Sequence, residues 1–213
     1  GECYTFFNQL YYYMIPILAV LPFGVSFLQD EESGYLKCIY TKRKKTTYLI
    51  SKYVVTFLSG GIAAGLPYMG SFLLNATYLP AIVPNQIAQH TSIIDAMTLS
   101  DYYYSKPWIF YGAYLLAIML AGGFLGVTAL LVSFFVRNYL FVLCFPFLVY
   151  LSWDYIAMEV GHKSYSIHYL LNPLHHEAGV YIGINTVYGV FIVLNILMVV
   201  LFLSIGKYRE KII

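Results

Sequence analysis

Five apolar runs, residues 11–28, 53–74, 108–136, 139–157 and 187–205, dominate the chain. A helix needs about 20 mostly apolar residues to cross the hydrocarbon core of a bilayer, and each run meets that length. The first contains Pro16 and Pro22, and the second is rich in small residues (Ser59, Gly60, Gly61, Ala63, Ala64 and Gly65). The third is long enough to tilt or to extend past the bilayer. Composition agrees with the runs: 60% of residues are hydrophobic and 10% charged, against about 45–50% and about 25% in soluble domains. Such a chain cannot cover its surface with polar groups, so its solvent must be largely lipid. The expected fold is an all-α integral membrane bundle forming one domain over residues 1–213, with five spans in this chain.

The positive charges set an orientation. Of the 12 Lys and Arg, ten fall on one side of the expected topology. Six lie between residues 30 and 52 (Lys37, Lys42, Arg43, Lys44, Lys45 and Lys52), Arg137 lies between the third and fourth spans, and Lys207, Arg209 and Lys211 follow the fifth. The opposite side holds Lys106 and Lys163. The positive-inside rule therefore places residues 30–52, Arg137 and the C-terminus in the cytoplasm, in a multi-pass protein of the cell membrane. Residue 1 would then lie outside the cell. No basic stretch, short apolar core and cleavage site opens the chain, so no signal peptide is expected. A further span before Gly1 is expected instead, making six in the natural protein. A net charge of +2 is too small to indicate a nucleic-acid partner.

Two outer loops, residues 79–107 and 159–186, carry most of the remaining polar groups. The second is apolar enough to lie at the interface or dip back into the membrane. Aromatic belts at the headgroup level account for much of the 23 Tyr. His175-His176-Glu177 offers metal-ligand types, but neighbours on a helix point about 100° apart, so solvated side chains are the expected reading and no metal is expected. Cys3, Cys38 and Cys144 follow no zinc or disulfide spacing. Asp154 is the one acid deep enough to be intramembrane, a functional candidate by default, although near the end of its span it could reach water. Asn75, Asn138 and Asn195 are expected to hydrogen-bond between helices, and the glycines around Gly60 to pack helices closely.

Residues 30–52 are the sharpest local feature. Asp30-Glu31-Glu32 is followed by Gly34-Tyr35, then by Lys42-Arg43-Lys44-Lys45, Tyr48 and Lys52. Physically, acids sit where a helix leaves the membrane, Gly34 permits a sharp turn or close packing, and cations precede re-entry. Composition alone describes a solvated basic segment attracted to anionic lipid. The order of residue types resembles the membrane subunits of ABC-2-type ABC transporters and the related G-subfamily half-transporters. In those, a span ending in an acid, a glycine and an aromatic or aliphatic residue leads through a basic helix, a Tyr and a Lys into the next span. The matching positions are Glu31 or Glu32, Gly34, Tyr35, Arg43, Tyr48 and Lys52. The stretch Leu131-Val132-Ser133-Phe134-Phe135-Val136-Arg137-Asn138 and the pair Asn172-Pro173, near an expected re-entrant hairpin, extend the likeness. The long loop 79–107 and the missing first span depart from it.

The resemblance implies a permease subunit that exports a hydrophobic or peptide-like substrate and pairs with a second permease subunit. Glu31, Glu32, Gly34, Arg43, Lys44, Tyr48 and Lys52 would couple it to a separate nucleotide-binding ATPase subunit. The chain has no GxxxxGK[ST] stretch, so no P-loop of its own; ATP and Mg would be bound by the partner, and this chain would hold no cofactor and no catalytic residue. Two alternatives stand beside this one: a polytopic membrane enzyme with its site in the outer loops, and a non-transporting scaffold or sensor subunit. Glu31-Glu32 is also similar to the paired glutamates of intramembrane CAAX-type proteases, but those need His or Asn within the spans, and the spans here lack His.

Overall fold

The computed structural model describes residues 2–42, 45–78, 99, 102, 105–162, 165–172 and 183–209. Eight helices account for nearly all of these: α1 Glu2–Val20, α2 Ser26–Glu32, α3 Tyr35–Lys42, α4 Lys45–Tyr78, α5 Pro107–Val132, α6 Tyr139–Glu159, α7 Ile167–Leu171 and α8 Ile184–Arg209. Four stretches are long and apolar enough to cross a membrane: Thr46–Leu74, Pro107–Val132, Tyr139–Glu159 and Ile184–Gly206.

The expected first span does not form one helix. Its apolar helical part is Leu10–Val20, shorter than a crossing requires. Leu21–Val25 is a turn, closed by the Gly24 amide donating to the Val20 carbonyl at 2.9 Å. Pro22 has no N–H to continue the ladder, and the chain becomes helical again only at Ser26. Among the described residues, four helices therefore have crossing length, and the fifth expected span is interrupted.

The other boundaries follow local chemistry. Pro107 begins α5, where a missing N–H costs nothing. Asn138 caps α6, its Oδ1 accepting from the amides of Leu140 and Phe141 at 3.0 and 3.4 Å, rather than bonding to another helix as expected. Gly34, at φ +72°, follows α2, the left-handed position that glycine occupies after a helix. A Cβ there would meet nothing within 4 Å, so Gly34 serves a turn and not close packing.

The bundle is built around α5. Fifteen of its 26 residues are buried, against four of the 21 in α6, so α6 leaves most of its surface for lipid. The tightest crossing joins α4 to α5. A Cβ on Gly122 would lie 2.6 Å from Ala64 Cβ and 2.9 Å from the Gly60 carbonyl, and one on Gly60 would lie 2.9 Å from the Ala19 carbonyl of α1. The small residues of α4 therefore pack closely, as expected. Asn195 Nδ2 of α8 donates to the Leu120 carbonyl of α5 at 3.3 Å, the expected interhelical bond.

Several tyrosines act inside the bundle instead of at its belts. Tyr11 and Tyr188 donate to the carbonyls of Ala64 and Ala113, each at 2.7 Å. Tyr12, Tyr114 and Tyr150 are buried. Without water, a helix carbonyl is a ready acceptor for a phenol that must be satisfied somewhere.

Candidate functional site

The acid–glycine–basic segment folds as a hairpin of three helices at one end of the bundle. α2 carries the acids at its last turn, α3 turns back beyond Gly34, and α4 carries Tyr48 and Lys52. Lys52 lies two turns inside α4, not at a boundary between loop and helix. Its Nζ pairs with Asp30 Oδ2 at 2.7 Å, both side chains being about one-fifth exposed. The same ammonium donates to the Ser26 carbonyl at 3.3 Å and sits 5.9 Å from the centre of the Tyr48 ring. Tyr48 in turn donates its hydroxyl to Asp30 Oδ2. Asp30, rather than Glu31 or Glu32, is the acid that binds α2 to α4.

Glu31 and Glu32 point to another neighbour, the turn between α5 and α6. Arg137 approaches Glu31 Oε1 at 3.4 Å, and the Tyr139 hydroxyl donates to Glu32. One acidic run thus ties α2 both to α4 and to the start of α6. The fixed geometry matters more than any single bond here: the Arg137 side chain is 77% exposed, and exposed ion pairs contribute about 0–1 kcal/mol.

α3 is half embedded. Leu36 is buried and Ile39 partly so, in an apolar cluster with Phe27, Tyr48, Leu49, Phe134 and Phe202. Tyr35, Cys38 and Thr41 face outward. This eight-residue helix is therefore anchored by one face and open on the other. Of the expected coupling residues, Glu31, Glu32, Gly34, Tyr48 and Lys52 come together in this hairpin, while Arg43 and Lys44 lie outside the described residues. Asp30, Arg137 and Tyr139 complete the cluster; their pairing joins positions up to 107 residues apart, a separation that local pattern does not reveal.

A second polar cluster lies toward the other end of α6. Asp154 does not reach water: it is 6% exposed. Its Oδ1 accepts from Ser166 Oγ at 2.6 Å and from the His168 amide at 3.3 Å. Oδ2 has no hydrogen-bond partner among the described residues. His168, in the apolar part of the second loop, is buried; its ring stacks on Tyr13 at 4.7 Å and meets Tyr12 edge-on at 6.0 Å. α7 itself packs into the apolar core of the bundle.

Carboxylate, hydroxyl and imidazole are together here, but not as a relay. In nucleophilic catalysis the acid orients the imidazole, which takes the hydroxyl proton. Asp154 instead binds Ser166 directly and His168 through its main chain. No group of three metal-ligating side chains occurs among the described residues; His175, His176, Glu177 and Pro173 lie outside them. An open apolar cavity of about 330 Å³ flanks α6, lined by Trp153, Ile156, Ala157, Val160, His162 and Tyr165. Asp154 is not among its walls.

No family model matches the chain, and neither the curated proteins nor the solved structures contain a significant match to it.

Proposed function

We propose that this chain is the membrane subunit of an ATP-driven transporter of the ABC-2 type, working with a separate nucleotide-binding ATPase subunit and a second permease subunit. The observation that carries the reading is the α2–α3–α4 hairpin. It presents a short helix with one face anchored and one face open, beside acids that reach both α4 and α6. A push on α3 by a partner would be passed through Asp30 to Lys52 and through Glu31 and Glu32 to Arg137 and Tyr139. The warrant beyond that geometry is resemblance at the level of residue order, which is an analogy of folds.

In this reading the hairpin faces the cytoplasm, α1 and α2 together complete a fifth crossing despite the break at Leu21–Val25, and ATP and Mg bind only the partner. Export of a hydrophobic or peptide-like molecule suits a bundle whose lipid-facing helices carry few charges. The direct test is copurification from the native host. An associated protein with ATP hydrolysis that the reconstituted complex stimulates is the expected result; a stable complex without ATPase would transfer the chain to the scaffold class. Orientation has its own test. Cys38 is exposed on α3, so an impermeant thiol reagent should leave it unlabelled in intact cells and label it in inverted vesicles. Labelling in intact cells would reverse the topology.

A further inference from the structure

We propose that Asp154 is a latch: it holds α7 across the end of the bundle opposite the acid–base hairpin, and its release opens the space between α1, α5 and α6 to solution. Asp154 lies about 22 Å along α6 from Tyr139, at 1.5 Å per residue, so the two clusters sit near opposite ends of one helix. α7 packs against α1, α5 and α6. Its Ile167, Leu170 and Leu171 are at most 2% exposed and belong to the same apolar core as Ile15, Ala117 and Phe191. The segment therefore acts as a plug, filling the interior where three helices converge.

Five residues of helix have almost no stability of their own, because nucleation costs more than one turn returns. α7 stays in place through what it touches. Its apolar side chains supply the packing, and Asp154 supplies the directional part by accepting from Ser166 Oγ and the His168 amide. Both bonds are made by one side chain of a neighbouring helix, so a shift of α6 relative to α7 breaks them together. The start of α6 is joined to α2 through Tyr139 and Glu32, which gives a movement of the hairpin a path along α6 to the latch. That use in transport rests on the function proposed above; the latch itself rests only on α6 and α7.

The test is solvent access to α7. Leu170→Cys, in a chain whose Cys3, Cys38 and Cys144 are replaced by Ser, is placed in lipid nanodiscs and reacted with a water-soluble maleimide. The expected result is slow labelling in this background, at least about tenfold faster labelling with Asp154→Ala, and an increase of about threefold with Ser166→Ala, which removes one of the two bonds. Ser166→Ala is nearly isosteric, so it guards against mere misfolding, as does an unchanged helical signal and elution profile. Equal, slow labelling in all three proteins would overturn the latch, as would fast labelling before either latch residue is changed. Faster labelling in the variants with no ATPase partner found would keep the latch and remove the transporter.

Discussion

The two polar clusters of this bundle solve opposite problems. The hairpin cluster contains full charges of both signs at an edge of the bundle, where water or headgroups can still reach Arg137 and, in part, Asp30 and Lys52. The Asp154 cluster is almost entirely enclosed, and its direct hydrogen bonds come from a hydroxyl and a main-chain amide rather than a cation. Where solvent screens, charge pairs set register and orientation at little energetic consequence. Where it does not, each hydrogen bond to a carboxylate is expensive to lose, because the stranded donor has no water to turn to. Similar residue types should therefore respond very differently to mutation at the two ends.

The largest expected effect is at the enclosed end. Asp154→Ala strands the Ser166 hydroxyl and the His168 amide, a local loss of about 2–3 kcal/mol. Hydrogen exchange of the α7 amides should accelerate by about 30–150-fold, while the amides of α4 near Lys52 keep their protection. Uniform acceleration through the whole protein would mean that the cluster holds the global fold and not α7.

Next comes the Asp30–Lys52 pair, intermediate in burial. Asp30→Ala leaves a largely sheltered ammonium and the Tyr48 hydroxyl without their carboxylate, and should lower stability by about 1–2 kcal/mol. A double-mutant cycle with Lys52→Met separates the pair's coupling from the cost of a stranded charge. Coupling near zero would place this pair with the exposed ones and erase the gradient between the two ends.

How far this contrast was legible in sequence depends on distance along the chain. The apolar runs announced four crossing helices because a 20-residue run is its own evidence. The first run is less direct: its apolarity continues across Pro22 and Gly24, whereas the helix stops at Val20. The acids at residues 30–32 and Lys52 were visible, but not which acid pairs with which element, since Asp30 meets α4 while Glu31 and Glu32 meet a turn about a hundred residues later. Asp154 was visible as a deep acid. Whether it met water depended on a five-residue helix too short to leave a periodic signature. The glycines of α4 were legible as a packing face, whereas their partners Gly122 and Gly126 on α5 were hidden in a uniformly apolar stretch.

A smaller effect is expected at Gly34, where the hairpin turns. Its φ of +72° is strained for any residue with a Cβ, although no neighbour would clash with one. Gly34→Ala should cost about 1 kcal/mol and Gly34→Asn less, since Asn tolerates the left-handed region. Thermal unfolding of the two variants ranks them. An Ala variant as stable as the parent would show that the turn can relax without disturbing α3.

The smallest thermodynamic effect carries the most functional information. Arg137→Ala removes a side chain that is 77% exposed and 3.4 Å from Glu31, so stability should fall by less than about 1 kcal/mol, with even that loss reduced in high salt. If the hairpin passes force to α6, the same substitution should nevertheless weaken substrate stimulation of the partner's ATPase, because the tie between α2 and the α5–α6 turn sets orientation more than stability. Glu31→Ala should give the same phenotype, and the two together no more than either alone, since both cut one connection. A basic membrane anchor predicts otherwise: anionic-lipid binding would fall by about 1 kcal/mol for each cation removed near the surface, and loss of Glu31 would strengthen it. ATPase coupling that is indifferent to Glu31 and graded in total positive charge would make the hairpin a lipid-binding surface and leave the comparison between the two ends purely structural.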